Sequence, residues 1–279
     1  MRRWFSGMRM TRVDISGVGV WSEQFANWEE FRAVLGGSEA VLSSALKPEL
    51  IPPKERRRAP QAVKMAIEVM DQACQMAGVD PSGVATVFAS GMGDMQITDY
   101  MCRTLASTPR LVSPTRFHNS VHNASTGYWS IATGSHAPAN AVSGYSHSVA
   151  IAILEAAVQA SEENIPVLVV VEELAAPQPF KSVCDAELAF AAALLLSPSV
   201  AASSPMASMD IKVCRSEVDI SAPLQVQGID YSTNFAAKIL PLLVAVAEQE
   251  AADMKLPLSR RTALQFSLSM ERAPRTAHA

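Results

Sequence analysis

A few short stretches of this chain hold side chains that could do chemistry, and each has a plainer structural reading beside it. Gly144-Tyr145-Ser146-His147-Ser148 brings a phenol, two hydroxyls and an imidazole to one turn. A serine becomes a nucleophile only when a general base takes its proton. His147 adjoins Ser146, but neighbouring side chains on a helix point about 100° apart. The base would have to come from His118 or His122 through the fold. The second glycine of a G-x-S-x-G elbow is missing, with Ser148 in its place. An N-cap hydroxyl from Ser146 or Ser148 is therefore the favoured reading.

His118, Asn119, His122 and Asn123 sit in a polar loop that could line a pocket or face a partner. As a metal site they lack ligand spacing and carboxylates, so no metal is expected. Gly91-Met92-Gly93-Asp94 lacks the third glycine of a dinucleotide fingerprint and the basic residue of a P-loop, and reads as a turn. Arg56, Arg57 and Arg58 could meet an acidic partner surface, although a solvated helix start is the simpler reading. Glu172 and Glu173 close an apolar run and read as solvent-facing caps rather than an acid–base pair. Cys74, Cys102, Cys184 and Cys214 form no C-x-x-C pair. They read as small apolar fillers in a chain of the reducing cytoplasm.

Those residues need elements to hold them. RVDISGVGV (12–20) is a β-branched strand running into a turn. Residues 27–36 read as a helix stopped at Gly36-Gly37, and 40–58 as irregular. A long helix spans 60–77, with Val63, Ala66, Ile67, Met70, Ala73, Cys74 and Ala77 on one face, and Gly78 ends it. Residues 84–91 form a buried strand, 94–107 a polar helix, 109–127 a loop and 124–133 a further helix. NAVSG (140–144) is a short strand, 146–161 a helix, and IPVLVVVEE (165–173) an apolar run typical of a fully buried strand. Strands at 187–197 and 209–219, a helix at 233–251 and a strand at 262–270 complete the reading. Residues 197–208 suit a flexible hairpin loop.

Bulk properties narrow the function classes. The net charge of −4 offers no global field for nucleic acid or an anionic membrane. The longest apolar stretch, 186–202, is interrupted by Glu187, Ser197, Pro198 and Ser199 and is too short to cross a bilayer. Two arginines precede a short apolar patch at the start, but no signal-peptide core follows.

Residues 113–173 carry a resemblance. Their order is a polar loop, a helix, a small-residue strand, a sharp turn, a helix and a buried strand. This resembles the central stretch of β-ketoacyl synthases, in which the turn presents the active-site cysteine at a helix N-terminus. Helix N–H groups and the macrodipole stabilise a thiolate there. RVDISGVGVWS (12–22) is similar to the family's first strand, and residues 55–81 to its first long helix. LAFAAALLLSP (188–198) resembles the strand that closes the N-terminal half. STNFAAKILPLLVAVA (232–247) resembles a helix of short, single-half members. The resemblance implies one β-ketoacyl synthase-like N-terminal domain at 12–270, between an N-terminal extension (1–11) and a frayed tail (271–279). The implied fold is α/β: a thiolase-like half fold whose mixed, mostly parallel sheet is covered by helices on both faces. Most similar are the short proteins found beside aryl polyene and xanthomonadin-type pigment synthases, which resemble chain-length factors.

The resemblance also exposes a deficit. Aligning VSGYSHSV (142–149) on the family's V-S-x-A-C-S-S-G puts Ser146 at the nucleophile position, and a one-residue slip puts Tyr145 there. The family's histidines come from a C-terminal half that does not follow. HNASTG (122–127) looks like an H-G-T motif but precedes the turn, so it is read as coincidence. The implied function is a non-catalytic subunit that pairs with a full-length β-ketoacyl synthase through the strand at 138–144. Its apolar face, normally covered by the second half, would be left open. Asn119, His122, Asn123, Ser143 and His147 would line the tunnel or interface, with Tyr128, Trp129 and Tyr145 as bulky walls. No resident cofactor is implied, because substrate would arrive on the phosphopantetheine arm of an acyl carrier protein docked at Arg56–Arg58. Two alternatives stay open: a serine-dependent acyltransferase or hydrolase using Ser146, and a stand-alone acyl-carrier-protein binding module.

Overall fold

The structure, a computed structural model, describes residues 10–40, 46–199, 205–216 and 224–270. The tail at 271–279, nearly all of the extension at 1–11 and the middle of the loop at 197–208 lie outside the described residues. The elements in chain order are β1 (Thr11–Ser22), α1 (Trp28–Leu35), α2 (Pro53–Arg56), α3 (Gln61–Ala77), β2 (Ala85–Ala89), α4 (Met95–Ser107), α5 (Pro114–His118) and α6 (Ala124–Thr133). There follow β3 (Ala139–Val142), α7 (Ser148–Glu163), β4 (Val167–Glu173), β5 (Phe190–Pro198), β6 (Ala207–Arg215), β7 (Gln225–Val226), β8 (Ile229–Asp230), α8 (Leu240–Glu248), β9 (Ala252–Ser259) and β10 (Thr262–Ser269).

Eight strands form one mixed sheet in the order β3-β2-β4-β5-β1-β6-β10-β9. β2 runs parallel to β3 and β4. The other neighbours are antiparallel, so the sheet leans further from parallel than its resemblance implied. Parallel pairing needs a crossover, and here α4–α6 and α7 supply it, whereas β4–β5 and β9–β10 follow one another without an α-helix and pair antiparallel.

Alternation along the central strands builds two cores. Phe88, Leu168, Val170, Ala191, Ala193 and Leu195 face α3 and α6. Val87, Val169, Val171, Ala192 and Leu194 face the side covered by α1, α7 and α8. Every residue of β4 and β5 is buried, which explains why both read as unbroken apolar runs. α3 lies directly on β1: a Cβ on Gly19 would sit 1.9 Å from the Val69 carbonyl oxygen, so only glycine allows that approach. Gly78, left-handed at φ 65°, stops α3. At α1, Asn27 accepts from the Glu30 N–H (2.9 Å) while Glu30 reaches back to the Ala26 N–H (2.7 Å).

Three expectations are corrected. The helix read at 233–251 is a 3-10 turn, Ala236–Ile239, followed by the shorter α8. Immediately past that span, at Ala252, begins β9, a strand hidden in the sequence by Pro257; an edge strand tolerates that proline because one side donates no hydrogen bonds. Among the described residues the expected open apolar face does not appear at α7, which packs against the sheet, the Ala236–Ile239 turn, β9 and β10 and leaves Val158 as its one large exposed apolar side chain. Large exposed apolar side chains gather instead on and between α4, α5 and α6, at Leu105, Leu111, Phe117, Val121 and Ile131.

Candidate functional site

The parallel strands β3, β2 and β4 end side by side, and the loops that follow them meet. Such carboxyl ends are where open α/β sheets bind ligands. Gly91, just past β2, is the closest point of that meeting. A Cβ there would lie 2.6 Å from the Phe235 ring, 2.9 Å from the Tyr145 carbonyl oxygen and 3.0 Å from Glu173 Oε2. Ser143, after β3, sits exposed with its hydroxyl 3.5 Å from the Gly91 carbonyl.

Glu172 and Glu173 are not solvent-facing caps. They are 2% and 0% exposed. β4 lies between β2 and β5 with helices above and below, so its last residues stay inside the fold. Glu173 accepts from the N–H groups of Gly91 (2.8 Å) and Met92 (3.2 Å) and from the Ser90 hydroxyl (3.3 Å). Burial outweighs these donors and pushes its carboxyl up to about 7. Glu172 is pushed well above the carboxylate range, first by burial and then by the charges of Glu173 and Asp94. Its Oε2 has no hydrogen-bond partner. The run Gly91–Asp94 is the turn its composition suggested: Gly93 is left-handed (φ 64°) and Asp94 caps α4 through the Ile97 N–H (2.9 Å). Burial raises the Asp94 carboxyl as well.

At the strand-to-helix turn after β3, Tyr145 is the strained residue, at φ 53°. Its hydroxyl donates to the Val183 carbonyl (2.7 Å), and its ring meets Phe235 edge-on at 4.6 Å. Tyr145–His147 form a 3-10 turn, and α7 starts at Ser148 with no side-chain cap. The expected N-cap serine is therefore not there. Ser148 instead closes the preceding turn, accepting from the Gly144 N–H (2.9 Å) and donating to the Tyr145 carbonyl (2.8 Å). Ser146 is held by its backbone: its carbonyl accepts from Lys238 Nζ at 2.8 Å. Burial lowers the Lys238 ammonium, and burial together with the Lys238 charge lowers the His147 imidazole. His147 Nδ1 is buried and unpartnered.

The other sequence-selected residues fall elsewhere. His122 Nε2 is 3.2 Å from the Ser90 carbonyl and its ring meets Phe88 edge-on, so it does not serve Ser146. Asn119, Asn123 and Tyr128 line a groove of about 750 Å³ between α2, α5 and α6, which His118 and Arg58 also border. Trp129 is not a tunnel wall. It is 1% exposed in the core beneath α3, with its indole N–H unpaired. Arg56, with its guanidinium 3.1 Å from the Lys47 carbonyl, belongs to the short α2; Arg57 and Arg58 follow it, exposed. Among the described residues no group of three His, Cys, Asp or Glu side chains could hold a metal ion, and no helix is long and apolar enough to cross a membrane.

Asn234 escaped the sequence reading. It donates to the carbonyls of Glu173 (3.2 Å) and Leu188 (2.9 Å) and accepts from the N–H groups of Ala236 and Ala237. An asparagine just ahead of a helical run was the available signal.

The sequence model of the family described as "Beta-ketoacyl synthase, N-terminal domain" matches residues 25–247. The chain belongs to this family. Solved structures agree on the β-ketoacyl synthase fold. The chain is similar to a chain of the ketosynthase ApeO in complex with its chain length factor ApeC from Xenorhabdus doucetiae, with 20% identity, TM-score 0.70 and coverage of 93% of this chain and 100% of that one. It is similar to a chain of AntDE:AntF, a type II PKS acyl-carrier protein in complex with its ketosynthase, with 13% identity, TM-score 0.76 and coverage of 94% and 100%. It is also similar to the ishigamide ketosynthase/chain length factor, with 14% identity, TM-score 0.71 and coverage of 93% and 99%. No curated protein sequence matches the chain.

This β-ketoacyl synthase domain offers no thiol at its turn. The nearby Cys184 is buried, and that burial, followed by the charges of Glu173 and Asp185, raises its thiol.

Proposed function

We propose that this chain is the chain-length-factor-type subunit of a heterodimer with a full-length β-ketoacyl synthase, serving fatty-acid or polyketide-type synthesis of an aryl polyene pigment in the cytoplasm. The observation that carries the reading is the turn after β3. Tyr145 is strained there and tied at both ring and hydroxyl, and Ser146, aligned on the nucleophile position, offers a hydroxyl where a condensing enzyme needs a mobile acyl thiol. The place for the partner is the edge strand β3. Only β2 pairs with it, Ala139 and Asn140 are exposed, and α6 with its exposed Ile131 lies alongside. An unpaired edge of small residues next to exposed apolar side chains suits strand-to-strand association.

Acyl chains would be brought by an acyl carrier protein on its phosphopantetheine arm, with Arg56–Arg58 as the docking charges. The test is co-expression with the ketosynthase encoded nearest to it, read by light scattering on a sizing column. The proposal expects a one-to-one complex that Asn140→Pro in β3 abolishes, and a product whose length changes when Tyr145 or Tyr128 becomes Ala. A monodisperse monomer that captures no ketosynthase, or turnover of malonyl-type thioesters by this chain alone, would sink it.

A further inference from the structure

A second cavity, of about 140 Å³, lies behind the turn between the start of α3, the Met92–Asp94 loop and the start of α6. Two of its walls carry buried acceptors with nothing to accept from: Glu172 Oε2 and Asn119 Oδ1, in residues that are 2% and 4% exposed. A buried acceptor left unpaired costs about 1–3 kcal/mol, more if charged. An occupant of this cavity must therefore bring donors.

Charge narrows the choice. Asp94 also lines the cavity and Glu173 adjoins Glu172, yet no lysine or arginine lines it. Arg116 lies over the Tyr100 ring, 4.0 Å from its centre, and its charge acts on Asp94. His122 lines the cavity too, with Nε2 on the Ser90 carbonyl, and burial holds the Glu172 carboxyl neutral; a cation is the occupant that would let it ionise. The volume is several times the ~10–15 Å³ that one water needs, so a planar or tetrahedral head group and a few carbons fit. The cavity adjoins the larger groove, with which it shares the lining residues Asn119, Val121 and Ala124; the groove continues along Tyr128 and Ile131, the direction a stem would take.

We propose that the cavity and groove form a binding site for a small free amine or guanidine, its cationic head between Glu172 and Asn119 and its apolar stem along Val121, Tyr128 and Ile131. The groove's Tyr128 and Ile131 also figure in the heterodimer reading, but the head-group cavity rests on Glu172 and Asn119, so cation binding to the isolated chain and complex formation can fail separately. Guanidinium matches it best, because its fixed fork of donors can serve a carboxylate and an amide oxygen together.

Calorimetric titration of the full chain with n-butylguanidinium and n-butylammonium chloride tests this, with 1-butanol and butyrate as neutral and anionic probes of the same stem. Both cations should bind saturably, one per chain, in the millimolar range or tighter, while butyrate does not bind. Glu172→Gln should weaken cation binding by about tenfold to a hundredfold. Asn119→Ala, at the C-cap of the short α5, should weaken it severalfold and decides the matter if Glu172→Gln fails to fold. Three results would overturn the proposal: no saturable binding, butanol binding as well as the cations (a water-filled or merely apolar cavity), or unchanged binding in the variants that fold.

Discussion

Replacing Glu173 by glutamine should remove much of the pH dependence of this protein's stability. The folded state raises the Glu173 carboxyl from 4.5 to about 7. An acid raised on folding keeps a proton that the unfolded chain has already lost, so stability is fullest below pH 4.5 and declines as pH rises through about 7. At ~1.4 kcal/mol per pH decade over that interval, the decline amounts to ~3 kcal/mol. Glu172, Glu23, Glu68, Asp71 and Asp94 are raised as well and push the same way. His147, lowered on folding, opposes them, because its contribution recovers as pH rises past its window. Glu173→Gln keeps the shape and one acceptor for the Gly91 N–H, and its amide can donate to Ser90, but it faces the Met92 N–H with another donor. That mismatch should cost about 1 kcal/mol near pH 5. Above pH 7 the variant should equal or exceed the parent, because no charge is left to bury and Glu172 loses a repelling neighbour. Urea unfolding followed by circular dichroism at several pH values between about 5 and 8 measures both curves. A parent whose stability is flat or rises between pH 5 and 7, or a variant with the parent's slope, refutes the reasoning.

Gly19→Ala drives a Cβ into the Val69 carbonyl and should cost at least ~3 kcal/mol in thermal or urea unfolding, because strand and helix backbones must separate. Gly83→Ala, with nothing within 4 Å of its added Cβ, should stay within ~0.5 kcal/mol and serves as its control. Trp129→Phe should cost under ~1.5 kcal/mol despite complete burial, because the lost packing is offset by removing an unpaired indole N–H. Ser146→Ala should leave unfolding within ~0.5 kcal/mol, because the residue is tied through its carbonyl, and intact mass after incubation with acyl thioesters should be the same for both proteins.

The sequence showed the framework better than the site. Apolar runs, a helical stripe and glycine stops survive translation into structure, so β4, β5 and α3 appear nearly where they were read. Pro257 hid β9, because a proline that breaks an interior strand is harmless on an edge. The polar residues were harder, since their meaning depends on which loops meet. Glu172 and Glu173 look in sequence like the wet end of a strand. Only the placement of β4 between β2 and β5, and of Asn234 across its end, shows that they are enclosed. Trp129 failed for the opposite reason. It looked like a wall for a ligand, but the helix that carries it turns that face onto α3.

The buried acids also bear on why the turn after β3 suits a tyrosine. A helix N-terminus lowers a thiol's pKa through its oriented N–H groups. Here the opposite influence sits underneath. Glu173 lies against Gly91, whose own space is closed by the Tyr145 carbonyl and Phe235, and Glu172 and Asp94 stand behind it. The thiol already in this neighbourhood responds as that arrangement demands: Cys184 is raised by burial and by Glu173. A cysteine placed at position 145, where Tyr145 is 46% exposed, would meet less burial than Cys184 does, so the acids beneath Gly91 would oppose the helix N-terminus without overruling it. The acidity of a thiol at this turn is thus set by the strand beneath it as well as by the helix, and a Tyr145→Cys thiol should be less acidic than the helix N-terminus alone would make it.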